Sequence, residues 1–307
     1  MKELRIVFMG TPDFAVASLK ALVEANYNIV GVITAPDKPA GRGRKLNESA
    51  VKKYALSHGL EILQPVNLKN PVFLNKLESL QADLQVVVAF RMLPKQVWAM
   101  PKMGTFNLHA SLLPNYRGAA PINWAIINGE EQTGVTSFKL KHAIDTGDIL
   151  LQKSCDIDPN DNAGSLHDKL MMLGAETMVE TLDGLLAGSL EEKPQKTQEV
   201  QKHAPKIFPE DCFIDFNTKL SIIKNFIRGL SPYPVARMKL DGKVLKVFAG
   251  HIKYAEPAGK AGELESDGKH YLRINCNDGY LYLDEVQLEG KRKMSIAEFL
   301  RGYRVSD

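Results

Sequence analysis

Residues 4–33 read LRIVFMGTPDFAVASLKALVEANYNIVGVI, and this stretch indicates the fold class of the chain. It opens with an apolar run typical of a buried strand and continues into the turn Gly10-Thr11-Pro12-Asp13. Threonine suits a helix N-cap, proline the first helical position and aspartate the positive end of the helix dipole. Apolar residues then recur at helical spacing before a second strand at residues 29–33. A strand, a turn, a helix and a second strand make a βαβ unit, which predicts a parallel sheet.

The alternation of strands and helices continues through the N-terminal part of the chain. Residues 84–90, LQVVVAF, are rich in β-branched side chains and predict a central strand, and residues 104–109 predict a shorter one. Ser165-Leu166-His167-Asp168 has the spacing of a capping box and predicts the start of a helix that extends to Leu186. We therefore predict an α/β domain with a parallel sheet over residues 1–189.

The composition changes after Gly188, where Glu, Lys, Gln and Pro replace apolar residues. We interpret residues 190–206 as an exposed linker between two domains, since 307 residues are long for a single hydrophobic core. Few contacts are expected to cross such a segment, so the domains on either side should fold as separate units.

Residues 207–307 have the pattern of a small β domain preceded by one helix. An amphipathic helix is predicted over residues 218–228, ended by Gly229. Hairpin signals follow at Asp241-Gly242 and at Asn277-Asp278-Gly279. We predict an antiparallel β-barrel of the OB type for this domain.

The overall composition narrows the class of protein. The net charge of +3 is too small to imply nucleic-acid binding unless the cations cluster. The cysteines Cys155, Cys212 and Cys276 are far apart and lack a CxxC spacing, which disfavours a zinc site or a disulfide framework and favours reduced thiols. The N-terminus lacks the apolar region of a signal peptide, and no apolar run reaches the ~20 residues of a membrane span. We expect a cytoplasmic protein without a membrane partner.

The turn Gly10-Thr11-Pro12 lies where the phosphate-binding loop of a dinucleotide-binding domain would lie. It contains one glycine instead of the three in G-x-G-x-x-G, and the second strand ends in Thr34-Ala35-Pro36 without an acidic residue. The missing fingerprint disfavours a nicotinamide-dependent dehydrogenase, which is the alternative class of enzyme. We interpret Gly10 as part of a tight turn only.

Residues 107–121, NLHASLLPNYRGAAP, contain the densest set of chemically active side chains. Asn107 and His109 are two apart, so on a strand they point to the same side and can meet one reacting atom. Histidine can move a proton near neutral pH, and an asparagine amide can donate to a developing oxyanion. A carboxylate at Asp145, in an Asp-Thr-Gly-Asp turn, would hold the histidine ring and favour its charged form. Spacing alone leaves a structural role open for each motif, because such strand ends and turns are usually structural.

Five stretches of the chain, in order, resemble the folate-dependent formyltransferases. They are residues 7–15, 107–121, 204–207, 227–234 and 276–279, which read VFMGTPDFA, NLHASLLPNYRGAAP, APKI, IRGLSPYP and CNDG. The resemblance spans almost the whole chain, and the opening stretch is similar to the members that formylate methionyl-tRNA. It implies a Rossmann-like formyltransferase domain joined to an OB-like domain that helps to hold tRNA.

The resemblance also implies which side chains act on the formyl donor, 10-formyltetrahydrofolate. It assigns Asn107, His109 and Asp145 to the catalytic positions, and it requires no metal. The folate contacts that it implies are Ser111, Leu112, Leu113 and Pro114, together with Val88, Phe90, Arg91 and Leu93. Phe90-Arg91 occurs where the family often has Tyr-Gly, so the contacts to the pterin ring are expected to differ here.

A basic loop follows the second strand, and residues 37–45 read DKPAGRGRK. Its glycines leave it flexible, and its four cations attract phosphate. The resemblance implies that the loop contacts tRNA, and the predicted contacts are Lys38, Arg42, Arg44, Lys45 and, in the linker, Lys206. A solvated charged loop without a ligand is the alternative interpretation.

The resemblance thus implies an enzyme that moves the formyl group of 10-formyltetrahydrofolate to the free amine of methionyl-tRNA for translation initiation. We expect a monomer whose partners are the charged initiator tRNA and the folate donor. A sugar-nucleotide amine formyltransferase or a formyltetrahydrofolate hydrolase module could carry the same triad, whereas a glycinamide ribonucleotide transformylase would lack the second domain. A catalytically silent RNA-binding module is the alternative from another class, and the intact Asn107, His109 and Asp145 disfavour it.

Overall fold

The computed structural model describes residues 3–40, 45–196 and 201–304. The chain forms two compact units, and each is assembled from three segments. The first contains Met1–Arg117, Thr133–Cys155 and His167–Lys202, and the second contains Gly118–Gln132, Asp156–Leu166 and His203–Asp307. The sequence-based domain boundaries, at residues 1–189, 190–206 and 207–307, remain a prediction.

The secondary structure mixes strands and helices. Strands β1 to β17 span, in chain order, Arg5–Gly10, Asn28–Ile33, Lys38–Ala40, Lys45–Asn47, Ile62–Leu63, Leu84–Val88, Thr105–His109, Arg117–Gly118, Gln132–Lys139, Ile149–Asp156, His203–Ala204, Ala236–Leu240, Lys243–Tyr254, Leu264–Ser266, Leu272–Cys276, Gly279–Leu288 and Met294–Ser295. Helices α1 to α8 span Asp13–Glu24, Ala50–Ser57, Pro71–Ser79, Lys95–Trp98, Pro121–Ile127, Ala163–Leu186, Leu220–Leu230 and Ile296–Gly302, and a 3-10 turn covers Pro209–Cys212. Among the described residues, every helix is too short or too polar to cross a lipid bilayer.

The first unit is built on a seven-stranded sheet with the strand order β10-β9-β7-β6-β1-β2-β5. Parallel pairing joins β5, β2, β1, β6 and β7, whereas β9 runs antiparallel to β7. Residues 6–9 of β1 have no exposed surface, as expected for a central strand that is covered on both faces. The predicted βαβ unit and its parallel sheet are confirmed.

Two predicted helix starts are wrong by a few residues. Helix α1 has Pro12, not Thr11, at its N-cap, because Pro12 keeps an extended backbone with φ −82° and ψ 177°. Helix α6 starts from Asn162 rather than Ser165, because the Asn162 side chain accepts hydrogen bonds from two backbone N–H groups of the first turn. Asparagine caps a helix as well as serine does, so the sequence offered two starts of similar quality.

The carboxyl ends of β1, β6 and β7 meet at one edge of the sheet. Gly10 at the end of β1 is paired with Val88, and Val88 is paired with Leu108, which precedes His109. Gly10 leaves no room for a side chain, since a Cβ there would lie 2.5 Å from the Cβ of Ala15 in α1. Open α/β sheets bind ligands at the carboxyl ends of their strands, so this edge is the expected place for a site.

The second unit contains a six-stranded antiparallel sheet with the order β12-β13-β16-β15-β14, and β17 is paired with β16. Irregular pairing in β13 between Val247 and Gly250 bends the sheet, which forms a half-barrel against helix α7. Both predicted hairpins are present, since β12 turns into β13 at Asp241-Gly242 and β15 turns into β16 at Asn277-Asp278. The prediction of an antiparallel β domain is confirmed in this half-barrel form.

Helix α7 continues through the predicted stop at Gly229 and ends at Leu230. A Cβ at Gly229 would lie 2.6 Å from Cγ1 of Ile127, so the glycine allows α5 and α7 to approach closely. Asn123 of α5 also donates a side-chain hydrogen bond of 2.7 Å to the Gly229 carbonyl. A glycine required for helix contact gives the same sequence signal as a glycine that ends a helix, which explains the error.

Part of the predicted linker is hydrogen-bonded to β10. Ile149 and Lys193 exchange two backbone hydrogen bonds of 2.8 and 2.9 Å, and the Lys139 ammonium lies 2.6 Å from the Glu192 carboxylate. The segment is polar and mostly exposed, as its composition indicates. Residues 190–196 nevertheless belong to the first unit, because their hydrogen bonds attach them to its sheet.

Candidate active site

Asn107 and His109 lie on β7 at the carboxyl edge of the parallel sheet. Asn107 is paired with Val87 of β6 on one side, and His109 is paired with Thr136 of β9 on the other. Alternate residues of a strand point to the same face, so the two polar side chains share one face of β7. The side-chain amide of Asn107 makes no hydrogen bond to the other described residues, which leaves it available to a ligand.

The His109 imidazole is buried and has a polar neighbour at each nitrogen. Its Nε2 lies 2.8 Å from the carbonyl oxygen of Tyr116, and its Nδ1 lies 3.8 Å from Oδ2 of Asp145. A carbonyl oxygen can only accept, so Nε2 carries a proton and donates a hydrogen bond to the Tyr116 carbonyl. Nδ1 therefore faces the carboxylate, at an ion-pair distance that is longer than a hydrogen bond. The structure brings the predicted His109 and Asp145 together.

The turn that carries Asp145 is closely attached to the end of β9. Asp145 adopts a left-handed backbone conformation with φ 51°, and only 9% of its surface is exposed. A Cβ at Gly147 would overlap the Lys139 carbonyl oxygen at 1.6 Å, so the third residue of the turn has to be glycine. The Lys139 amide donates to the Asp148 carbonyl at 3.0 Å. The Asp-Thr-Gly-Asp sequence thus turns the chain sharply and directs a carboxylate inward.

Residues 111–114, the predicted folate loop, are hydrogen-bonded to the side chains of Thr136 and Gln152. The Thr136 hydroxyl donates to the Ser111 carbonyl at 2.7 Å and accepts from the Leu113 amide at 3.1 Å. The Gln152 amide donates to the Leu113 carbonyl at 3.0 Å and to the Thr136 hydroxyl at 2.9 Å. The Ser111 hydroxyl is itself engaged with the Asn115 carbonyl at 2.7 Å. Sequence reasoning missed Thr136 and Gln152, since a polar residue facing inward from a strand has no distinct local signal.

The second predicted folate segment follows β6. Val88 and Leu93 are buried, and Phe90 is half-buried, with the Arg91 guanidinium 5.7 Å from the centre of its ring. The Arg91 guanidinium donates to the carbonyl of Val66 at 2.9 Å and also to the carbonyl of Pro65. Arg91 therefore attaches the loop after β5 to this segment, which gives a structural role to the residue that departs from the family pattern.

The predicted tRNA contacts are spread over several parts of the chain. Lys38 lies in β3 and is exposed, and Lys206 is exposed with its ammonium 5.0 Å from the Phe208 ring centre. Lys45 is the first residue of β4, and the structure describes its backbone only. Arg42 and Arg44 lie outside the described residues.

The base of the basic loop is fixed by an ion-pair cluster that sequence reasoning missed. The Lys52 ammonium lies 2.5 Å from Asp37 and 2.8 Å from Glu48, and Gln64 donates to Asp37 at 2.8 Å. The hydrogen bond from Lys52 lowers the pKa of the Asp37 carboxyl, and the same contact raises the pKa of the Lys52 ammonium. Since β3 and β4 are paired from Lys38 with Asn47 onward, this cluster holds the start of a two-stranded hairpin.

In the described part of the chain, no group of three or more His, Cys, Asp or Glu side chains is arranged to hold a metal ion. At this edge the Asn107 amide and the His109 imidazole are followed in the chain by the apolar residues Leu112, Leu113 and Pro114. Such a combination is typical of pockets that bind small molecules.

Known proteins match this chain over almost its whole length. Two family models match the chain, "Formyl transferase" over residues 4–182 and "Formyl transferase, C-terminal domain" over residues 206–304. The methionyl-tRNA formyltransferase of Parabacteroides distasonis is 53% identical over 313 residues, with 99% of this chain and 97% of the relative covered. That of Phocaeicola vulgatus is 55% identical over 316 residues, with coverages of 100% and 98%.

Solved structures share the fold at lower sequence identity. HypX from Aquifex aeolicus, in complex with tetrahydrofolic acid, matches with a TM-score of 0.68 and 19% identity, and this chain spans about half of it, with 99% of this chain and 49% of HypX covered. The N-formyltransferase from Helicobacter canadensis matches with a TM-score of 0.66 and 20% identity over 95% of this chain and 100% of that one. The family resemblance drawn from the sequence is therefore confirmed, and the chain belongs to the formyl transferase family.

Proposed function

We propose that this chain transfers the formyl group of 10-formyltetrahydrofolate to the amino group of methionyl-tRNA. The products would be formylmethionyl-tRNA, which is used in translation initiation, and tetrahydrofolate. The observation that carries the proposal is the buried His109–Asp145 pair, 3.8 Å apart, in a chain 53% identical over its length to a methionyl-tRNA formyltransferase.

In the proposed reaction, the neutral amine of the methionyl group attacks the formyl carbon. A tetrahedral intermediate forms, and its oxygen carries the negative charge. The Asn107 side-chain amide donates to that oxygen, and so does Nε2 of His109 once the oxyanion replaces the Tyr116 carbonyl as its acceptor. Such preorganised donors are often the largest catalytic contribution. The bond between the formyl carbon and N10 of the folate then breaks, and the amine loses a proton while N10 gains one. His109 moves that proton.

Asp145 supports His109 in this proposal. Its carboxylate faces Nδ1 and would orient the ring when a proton is present on that nitrogen. Catalytic hydrogen bonds are often long without substrate and shorten in the reactive complex, so the 3.8 Å separation fits the role. The Tyr116 carbonyl accepts from the opposite nitrogen of the ring until the substrate binds.

The folate donor would bind against two segments at the same sheet edge. Ser111, Leu112, Leu113 and Pro114 form one side, and Val88, Phe90, Arg91 and Leu93 form the other in this proposal. The apolar side chains suit the flat pterin ring. Because the Arg91 guanidinium already donates to Pro65 and Val66, its contribution to folate binding would be indirect.

The charged initiator tRNA would be held by the basic loop and by the C-terminal domain. Lys38, Arg42, Arg44 and Lys45 place four cations within eight residues, and Lys206 adds another at the end of the predicted linker. Cations bind the phosphate backbone, with arginine able to do so through two parallel hydrogen bonds. We further propose that the enzyme acts as a monomer in the cytoplasm.

A formylation assay with three acceptors tests the function. Methionyl initiator tRNA, methionyl elongator tRNA and a sugar-nucleotide amine are offered separately, and both formyl transfer and release of tetrahydrofolate are measured. We expect rapid transfer to the charged initiator tRNA only. Transfer to the sugar-nucleotide amine, or release of formate without an acceptor, would support the sugar or the hydrolase alternative instead.

A further inference from the structure

The side chain of Gln195 bridges two segments that surround His109. Its Nε2 donates to the carbonyl of Asp145 at 2.8 Å and to the carbonyl of Gly147 at 2.8 Å. Its Oε1 accepts from Nε of Arg117 at 3.1 Å and from a second guanidinium nitrogen of the same residue. A glutamine amide has two donor hydrogens and an acceptor oxygen with two lone pairs, so every polar position of this side chain is used.

These contacts reach both sides of the imidazole. Asp145, whose backbone carbonyl is bound by Gln195, faces Nδ1 of His109. Arg117 follows Tyr116, whose carbonyl accepts from Nε2 of His109. One carboxamide therefore connects the segment on the Nδ1 side to the segment on the Nε2 side.

The turn at Asp145 needs such support, because core packing fixes it on one side only. Residues 141–144 directly before it are exposed, and 58% of the Ile144 surface is open to solvent. Asp145 itself has a left-handed backbone conformation, φ 51°, which is unfavourable for a residue with a Cβ and persists only when its surroundings enforce it. Hydrogen bonds to the carbonyls of Asp145 and Gly147 supply that enforcement.

Gln195 is held in place by its own segment. Two residues before it, Lys193 exchanges two backbone hydrogen bonds with Ile149, the first residue of β10. Ile149 follows the turn directly, so its backbone hydrogen bonds with Lys193 hold the last residue of the turn in place. The Gln195 side chain binds the carbonyl of Asp145 at the start of the same turn.

We propose that Gln195 is a positioning residue that sets the distance between Asp145 and His109. The proposal rests on the proposed formyl transfer, since it assigns Gln195 a role only through that pair. A displacement of about 1 Å at a catalytic group can cost ~10²-fold in rate, so loss of the bridge should reduce turnover without changing substrate binding.

Two substitutions at Gln195 and one control test its hydrogen bonds to Arg117 and to the turn at Asp145. Gln195→Met keeps the length of the side chain and removes all of its hydrogen bonds. Gln195→Glu keeps an acceptor for Arg117 but cannot donate to the carbonyls of Asp145 and Gly147. Glu192→Gln is the matched control, because it lies on the same segment and contacts Lys139 rather than the turn.

We expect Gln195→Met and Gln195→Glu to lower kcat at least about tenfold, with KM for folate and for tRNA within about twofold. Glu192→Gln should match the unmodified enzyme. Combining Gln195→Met with Asp145→Asn should cost no more than Asp145→Asn alone, because residues that act through one another are not additive. Circular dichroism and thermal unfolding of each variant ensure that folded proteins are compared, and Gln195→Glu serves if Gln195→Met does not fold.

Either of two results would overturn the proposal: folded Gln195 variants with unchanged kcat, or a double variant whose loss is the product of the two single losses. The proposed function can fail separately. If the unmodified enzyme formylates a sugar-nucleotide amine instead of tRNA, the same comparison of variants is made with that acceptor and still tests Gln195.

Discussion

Nδ1 of His109 lies 3.8 Å from Oδ2 of Asp145, while Nε2 of the same ring lies 2.8 Å from the carbonyl oxygen of Tyr116. The ring is therefore contacted on both sides, but only the Tyr116 contact has the length of a hydrogen bond. Tyr116 holds the ring through a backbone atom that no substitution removes, whereas the Asp145 contact depends on a side chain and on the turn that carries it. The Asp145 side is the one that mutation can probe.

The first prediction concerns Asn107, His109 and Asp145. Changing each singly to alanine should lower the single-turnover rate of formyl transfer by ~10²–10³, since removal of one oxyanion donor typically has this effect and Asp145 orients the donor His109. Rapid-quench measurement at saturating folate and tRNA reports that rate directly. Asp284→Ala is a matched control, because Asp284 also pairs with a histidine, His251, at 2.9 Å but in an exposed position. A folded Asn107→Ala variant with a normal rate would remove Asn107 from the mechanism.

The second prediction concerns Thr136, which lies beneath residues 111–114. Thr136→Val should leave the Ser111 carbonyl without its donor and the Leu113 amide without its acceptor, and a buried group that loses its partner costs about 1–3 kcal/mol. The free energy of unfolding should fall by about that amount, and KM for folate should rise about tenfold as the loop relaxes. Thr136→Ser keeps the hydroxyl and should restore both. Urea unfolding and folate titration provide the two values, and equal KM for all three proteins would contradict a role of the loop in folate binding.

The sequence was sufficient for the parts of the fold that follow hydropathy and turn chemistry. The apolar run of β1 predicts the parallel sheet, and Asp241-Gly242 predicts a hairpin, because both signals are local. Helix starts were less certain, since Asn162 and Ser165 are equally good caps a few residues apart. The assignment of residues 118–132 and 156–166 to the second compact unit could not be predicted, because no change of composition marks either segment.

The candidate site was predictable only where residues are close in sequence. Asn107 and His109 are neighbours on one strand, so their shared face follows from strand geometry. Asp145 was assigned by resemblance, and its approach to His109 depends on a turn whose direction the sequence does not give. Gln195 comes from a polar segment that resembles a linker in composition, so its contact with that turn exists only in three dimensions.

The third prediction concerns the ion pair of Asp37 and Lys52 at the base of the hairpin. Lys52 holds the pKa of the Asp37 carboxyl below its usual value, so the folded protein binds fewer protons than the unfolded chain in acid. The stabilisation is therefore present above the unfolded pKa of about 3.9 and is lost as the pH falls through the folded pKa. Asp37→Asn should melt below the unmodified enzyme at pH 7, and the gap between the two melting temperatures should narrow below about pH 4.

The same ion pair also predicts a loss of stability at high pH. Asp37 raises the pKa of Lys52, so this part of the stabilisation is present below the unfolded pKa of about 10.4 and is lost as the pH rises through the folded pKa. Lys20→Met, which breaks the exposed contact of Lys20 with Glu24 at 3.7 Å, is the control and should leave the melting profile unchanged at both ends. A constant gap between Asp37→Asn and the unmodified enzyme from pH 3 to pH 7, values chosen to bracket the unfolded pKa of about 3.9, would show that the pair does not stabilise the hairpin.

The last prediction concerns Arg42 and Arg44 in the basic loop. Glycines at positions 41 and 43 flank Arg42, and the Asp37–Lys52 pair adjoins β3, the described strand that precedes them. Guanidinium groups suit the phosphates of an acceptor stem, and each contact releases a counterion. Replacing both arginines by alanine should therefore lower kcat/KM for tRNA and flatten its dependence on salt, with the larger share from Arg42. KM for folate and the melting temperature should stay unchanged, since exposed loop substitutions usually remain within ~0.5 kcal/mol.

Lys69→Ala with Lys102→Ala removes the same charge from exposed positions elsewhere in the first unit and is the matched control, measured at two salt concentrations alongside the arginine variant. If both double variants change kcat/KM for tRNA equally, net charge rather than the loop attracts the tRNA. If only the arginine variant loses its salt dependence, the loop is the contact.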